Sequence, residues 1–148
     1  MSKQITTVTP SDYFQMCRNL AEVISISGVK YDTILGIGRG GFLPAEILSR
    51  WLDIPMAVVM AKSRSDIGES QEVVLSQIAS LVPIGSNILI VDEIIDSGAT
   101  IKAVKKKLDA MDRTYDVACV YAKPGKEPEF FSRIANEGEW IVFPQEVK

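Results

Sequence analysis

Residues 87–100 read NILIVDEIIDSGAT, and no other stretch restricts the fold as tightly. Four apolar residues, Ile88, Leu89, Ile90 and Val91, run without a break into two acids, Asp92 and Glu93. Ile94 and Ile95 follow, then a third acid, Asp96, and then Ser97, Gly98, Ala99 and Thr100. From residue 101 to 111 the apolar spacing is that of a helix. A short unbroken apolar run suits a strand buried on both faces. In an open parallel sheet the ligand crevice lies at the carboxyl ends of the strands. A helix N-terminus behind a glycine-bearing turn presents free backbone N–H groups to a phosphate. Acids beside such a cradle look contradictory until the ligand is a sugar phosphate. Carboxylates then accept hydrogen bonds from ribose hydroxyls, or meet them through a divalent cation. An ordinary helix cap needs one acid and not three. The order of residue types points to a phosphoribosyl site.

A second glycine-bearing turn lies upstream. Residues 36–41 read GIGRGG, ending a strand predicted over 31–37 and opening a helix predicted over 42–52. Glycines let the backbone approach an anion closely, and Arg39 adds a forked donor. The two turns together suit the two phosphorylated ends of one ribose. Taken alone, the second is also a plain tight turn with a solvent-facing Arg39.

The remaining pattern alternates strand and helix. Between Thr9 and Asp12, Thr and Ser offer caps to an amphipathic helix with Phe14, Cys17, Leu20 and Ala21 on its apolar spacing. Residues 56–61 form an apolar run suited to a strand buried on both faces, and 62–71 (KSRSDIGESQ) a polar loop. Residues 73–81 are ambiguous between strand and helix. Residues 116–122 (DVACVYA) predict another buried strand, stopped by Pro124 and Gly125. Trp51 reads as helix packing. Strands separated by helices imply right-handed parallel crossovers, hence an α/β sheet covered on both faces. No repeat or linker interrupts the 148 residues, which suit a single domain, 1–148.

Composition excludes several functions. A net charge of −3 argues against nucleic acid as the main partner, because phosphate-backbone binding needs a basic surface. The chain has no histidine, which removes Ser-His and Cys-His nucleophile systems and histidine metal sites. Cys17 and Cys119 lie in apolar contexts without metal-like spacing and are expected to be buried free thiols. No apolar stretch approaches the roughly 20 residues of a membrane span. No membrane partner and a cytoplasmic location are expected.

Residues 87–100 resemble the phosphoribosyl-pyrophosphate signature of the type I phosphoribosyltransferases: an apolar strand, two acids, two apolar residues, then Asp-Ser/Thr-Gly-Ala/Gly-Thr. Gly38-Arg39-Gly40-Gly41 resembles the same family's pyrophosphate loop, with Gly38 where Ser or Lys is common. Lys123, in Tyr121-Ala122-Lys123-Pro124-Gly125, and Trp140-Ile141 near the end resemble the base-binding elements of bacterial xanthine–guanine phosphoribosyltransferases. The resemblance covers roughly residues 31–144. It implies an open parallel sheet flanked by helices, with a small hood formed by chain segments outside the core. It implies an enzyme that moves the ribose 5-phosphate of phosphoribosyl pyrophosphate onto a 6-oxopurine, with Mg²⁺ as cofactor. Arg39, Gly40 and Gly41 would then face pyrophosphate. Asp92 and Glu93 would take the ribose hydroxyls, with Glu93 also at the metal. Asp96, Ser97, Gly98, Ala99 and Thr100 would wrap the 5′-phosphate, with Asp96 as the acid–base group. Lys123, Trp140 and Ile141 would hold the base.

Two departures from the family stand out. Glu93 occupies a position where many members have Asp, and residues 62–71 lack the Ser-Tyr pair of many lids, although Lys62 and Arg64 supply charge and Ser63 a hydroxyl. Lys123 also reads as a solvated strand-end lysine, and Trp140 as core or a subunit contact. Relatives form dimers or tetramers, so a homo-oligomer is expected, and Phe130, Phe131 and Phe143 suit either a subunit contact or the core. A non-catalytic regulator that binds phosphoribosyl pyrophosphate on this fold is the alternative.

Overall fold

The computed structural model describes residues 4–64 and 72–148. The first strand, β1 (Gln4–Thr7), leads into α1 (Pro10–Ser27), whose N-cap Thr9 accepts a hydrogen bond from the Asp12 backbone N–H at 3.1 Å. Proline at the first helical position removes an N–H that has no partner there in any helix. Then follow β2 (Thr33–Gly38), α2 (Phe42–Leu52), β3 (Met56–Arg64), β4 (Glu72–Leu75) and β5 (Ala79–Ser80). The second half holds β6 (Asn87–Ile95), α3 (Ala99–Ala110), β7 (Thr114–Ala122), β8 (Phe130–Ile134), β9 (Glu139–Val142) and a 3-10 turn, Pro144–Glu146.

The main sheet runs β4-β3-β2-β6-β7-β8, with β5 also paired to β3. Pairing is parallel from β3 through β8, whereas β4 and β5 lie antiparallel to β3. All six residues of β2 are buried, and so are Ile88, Leu89, Ile90 and Val91 of β6, as expected of central parallel strands. One face packs α3 through Ile101, Val104 and Leu108 onto Leu35, Ile37, Ile88 and Ile90. The other receives Leu20, Ala21 and Ile24 of α1 and Ala45 and Leu48 of α2 on Ile34, Leu89 and Val91. Both layers expected of a doubly covered sheet are present.

The hood is a two-stranded parallel sheet in which β1 pairs with β9, Ile5 opposite Trp140. Beneath it lies a third apolar cluster, in which Val8, Tyr13, Met16 and Cys17 meet Val120, Tyr121, Ile141 and Phe143. Cys17 and Cys119 are buried free thiols, each pushed up to about 12 mainly by burial, which makes them poor nucleophiles.

Several expectations need correction. Phe14 lies on the solvent side of α1; Tyr13 and Met16 join Cys17, Leu20 and Ala21 on the buried face. The β3 strand is longer than its apolar run and is not buried on both faces, since Met60 is exposed beside the antiparallel edge. Residues 73–81 resolve into parts of two short antiparallel strands. Phe130 and Phe143 are core residues, and Phe131 packs against the α3-side cluster, so this set supplies no exposed contact. Trp51 is half exposed instead of packed away. Of the polar loop expected over 62–71, Lys62, Ser63 and Arg64 instead end β3, and the rest lies outside the described residues.

Candidate active site

Strands β2 and β6 are neighbours, with Thr33 opposite Ile88 and Gly36 opposite Val91, so the turns after them open side by side. After β2 the chain passes a cis Gly38–Arg39 peptide and folds back, the Gly41 N–H donating to the Ile37 carbonyl at 2.8 Å. Arg39 is exposed while Gly41 is buried. A side chain on Gly41 would meet the Ile37 and Val91 carbonyl oxygens, each at 2.5 Å, so the close packing admits only glycine. After β6, Asp96 and Ser97 are exposed, and Gly98 takes the left-handed conformation at φ 84° as N-cap of α3. No side chain caps α2 or α3. Only a 3.3 Å bond from the Ala99 N–H to Ser97 Oγ occupies the second turn, which leaves first-turn N–H groups open to an anion.

Between the turns, β6 continues past its apolar run. The expected acidic strand end is therefore inside the strand, with Glu93 buried and Asp92 half-buried. Asp92 pairs with Cys119 of β7, and its carboxylate accepts the Glu93 backbone N–H at 2.7 Å. Burial pushes Asp92 up to about 7, against the pull of that N–H. Glu93 turns toward the hood. It is 7% exposed and its Oε1 accepts hydrogen bonds from the Tyr13 hydroxyl at 2.9 Å and from Gln145 Nε2 at 2.5 Å. Burial also pushes Glu93 up to about 7, with the two donors opposing the rise and Glu146 and Asp92 adding to it. A cavity of about 710 Å³ opens here among Arg39, Gly40, Glu93, Gln145, Glu146 and Lys148.

On the other side of β6, β7 ends at Ala122 and delivers Lys123, whose N–H donates to the Ile95 carbonyl at 3.3 Å. Its ammonium donates to the Glu139 carbonyl at 2.8 Å, at the start of β9. The Glu139 carboxylate is itself held by the Thr6 hydroxyl and by the Asn136 N–H at 2.8 Å. Those bonds, with the Lys123 charge, keep it below the usual carboxylate range. Glu93, Asp96, Lys123, Trp140, Ile141 and Phe143 border a small cavity of about 160 Å³. The Trp140 side chain is half exposed at its rim, whereas the Ile141 side chain is buried in the hood core.

The sequence-selected residues thus gather around the end of one strand. Arg39, Gly40 and Glu93 share one cavity, Asp96, Lys123, Trp140 and Ile141 share the next with Glu93 again, and Ser97 to Thr100 close the far end. Both hydrogen-bond donors to the Glu93 side chain, Tyr13 and Gln145, escaped the sequence reading, as did Glu146 and Lys148 beside them. The only sequence signal for the two donors is chemical: a buried acid in a chain without histidine needs neutral donors.

A metal ion finds partial support. Among the described residues no three carboxylates, cysteines or histidines converge on one point. Mg²⁺ commonly binds through one or two carboxylates together with substrate phosphates and water. One free oxygen on Glu93 fits that habit, since both donors go to Oε1.

The profile of the phosphoribosyl transferase domain family matches residues 9–148. The chain is 36% identical over 115 residues to the xanthine-guanine phosphoribosyltransferase of Cereibacter sphaeroides, across 75% of this chain and 66% of that one. It therefore spans just under two thirds of that relative's length. Among solved structures, a purine phosphoribosyltransferase from Pyrococcus horikoshii superposes with a TM-score of 0.79 at 27% identity, covering 98% of this chain and 95% of the other. A Neisseria gonorrhoeae protein with bound ppGpp superposes at 0.76 and 32% identity, covering 99% and 92%. A match that takes in α1, both turns and the hood strand β9 leaves one conclusion: the chain belongs to the phosphoribosyl transferase domain family.

Proposed function

We propose that residues 1–148 form one phosphoribosyltransferase domain that transfers the ribose 5-phosphate of phosphoribosyl pyrophosphate to a 6-oxopurine, releasing pyrophosphate. The observation that carries this reading is the small cavity where Lys123, Trp140 and Asp96 meet beside Glu93. A diphosphate-binding regulator has no need of a base pocket next to the ribose acids. The named activity of the Cereibacter sphaeroides relative points the same way. The neighbour with bound ppGpp, a guanine ribonucleotide rich in phosphate, agrees in both ligand halves.

The chemistry follows from charge. Breaking the bond from ribose C1 to pyrophosphate leaves cationic character on the ring and concentrates negative charge on the leaving group. Arg39 and the backbone of Gly40 and Gly41 would bind that leaving group with donors fixed before the reaction begins. Asp92 and Glu93 would orient the ribose through its hydroxyls, and the N–H groups at Ser97 to Thr100 would anchor the 5′-phosphate. Bound at Glu93 with the diphosphate, Mg²⁺ would neutralise charge on the departing oxygens. Lys123 donates toward an exocyclic oxygen, which favours 6-oxopurines over adenine, whose amino group at that place is itself a donor. Trp140 supplies the stacking face and the Ile141 backbone the other edge. Asp96 is exposed at the mouth of the base cavity, where it would exchange a proton with the purine. We further expect a homo-oligomer in the cytoplasm.

The test is turnover of guanine, hypoxanthine and xanthine in the presence of phosphoribosyl pyrophosphate, with and without Mg²⁺. Nucleotide formation from any of them supports the enzyme. Tight binding of phosphoribosyl pyrophosphate with no turnover would favour the regulator instead. Asp96→Asn is expected to lower kcat about 100-fold if the proton role is right; undiminished turnover would remove that role.

A further inference from the structure

We infer that Tyr13 and Gln145 are positioning residues that fix the Glu93 carboxylate, presenting its free oxygen to the diphosphate side of the site. This rests on the ribose and diphosphate reading above. The two donors come from opposite ends of the chain, one from the first turn of α1 and the other from the 3-10 turn after the hood. Both reach the same atom, Oε1. The other oxygen, Oε2, lies against Gly40, where an added Cβ would sit 2.7 Å from it. One oxygen is therefore held and the other faces the pyrophosphate turn.

Packing alone does not explain Tyr13. The ring is 1% exposed and meets Phe143 edge-on at 5.8 Å between centroids, a contact phenylalanine would make equally well. The hydroxyl is buried because Glu93 is there to accept from it. Gln145 likewise lies in a turn whose backbone does not depend on its side chain: that turn is closed by the Glu146 N–H on the Phe143 carbonyl at 2.9 Å. Residue 93 itself completes the case. Aspartate is one methylene shorter and would draw the carboxylate back toward β6, away from both donors. The glutamate here and its two donors form a matched set.

The experiment uses Tyr13→Phe, Gln145→Met and, as a packing control from the same apolar cluster, Val8→Ala. Binding of phosphoribosyl pyrophosphate with Mg²⁺ is measured by calorimetry, KM for phosphoribosyl pyrophosphate and for the base by initial rates, and Tm by thermal melting. Tyr13→Phe and Gln145→Met are each expected to weaken phosphoribosyl pyrophosphate binding about 10-fold, the low end of the effect of losing one hydrogen bond to a charged group. KM for that substrate should rise in step while KM for the base stays within about twofold. Val8→Ala should lower Tm and leave both constants alone. Wild-type affinity in both donor variants would overturn the inference. So would losses that strike base and phosphoribosyl pyrophosphate equally and follow Tm. A wild-type protein that binds no phosphoribosyl pyrophosphate would overturn the functional reading and this inference with it.

Discussion

The two turns that follow β2 and β6 look alike in sequence and are built in opposite ways. In the first, Gly41 is hemmed in by backbone: the Ile37 and Val91 carbonyl oxygens stand where a side chain would go. In the second, Gly98 has nothing within 4 Å of a would-be Cβ and is glycine for its φ of 84°. One turn requires absence of volume, the other a backbone conformation. The turn after β2 is thus shaped by the sheet itself. The turn after β6 is open, with Asp96 and Ser97 in solvent.

The largest test of that contrast is Gly41→Ala. Neither carbonyl can move without disturbing β2 or β6, so the expected cost is about 3 kcal/mol, at the upper end of overpacking effects. Urea denaturation would measure it, and a loss near zero would mean the first turn is as open as the second. Gly98→Ala is expected to cost about 1–2 kcal/mol, the strain of a left-handed alanine without a clash. It should leave the fold intact while weakening phosphoribosyl pyrophosphate binding in a titration.

Between the turns, Asp92 reports on burial. Its carboxyl is raised to about 7 in the folded protein against 3.8 ordinarily, so the folded state binds its proton more readily than the unfolded state. Below about pH 4 the group is protonated in both states and costs nothing; as pH rises through 7 the fold must carry a desolvated carboxylate and loses stability. Asp92→Asn should therefore raise Tm at pH 8 and change it little at pH 4. A gain of equal size at both pH values would assign the effect to packing. The smallest effect belongs to Ser97→Ala, which removes only the 3.3 Å contact to the Ala99 N–H and should cost no more than about 0.5 kcal/mol.

Much of the central layer was legible because its signals are local. The run Ile88 to Val91, the small turn and the helix after it are contiguous, so their order alone gives strand, site and crossover. Helix α2 is marked as clearly, by Gly41 before it and Asp53 and Pro55 after it. The hood was legible only as an expectation of family resemblance. Parallel pairing of β1 with β9 joins Gln4 to Glu139, and no periodicity in either segment encodes a partner so far away. The same distance hid Tyr13 and Gln145 as companions of Glu93. Phe14 misled because neighbouring aromatics on a helix leave their inward member undecided: Tyr13 faces in because its hydroxyl has an acid to meet. Strand β3 outran its apolar pattern because its outer part is a sheet edge, where polar Lys62 is tolerated.

The pairing of β1 with β9 also sets an order of assembly. Contacts such as Thr6 with Glu139 join residues 133 positions apart, while the turns after β2 and β6 rest on the closer pairing of Thr33 with Ile88 and on the helices that follow them. Chain segments so distant pay a larger loop-closure entropy and form late relative to local contacts. Lys123 finds its anchor on the Glu139 carbonyl only once β9 is in place. A chain caught midway through folding therefore carries the turns after β2 and β6 before the small cavity at Lys123 and Trp140 has its second wall.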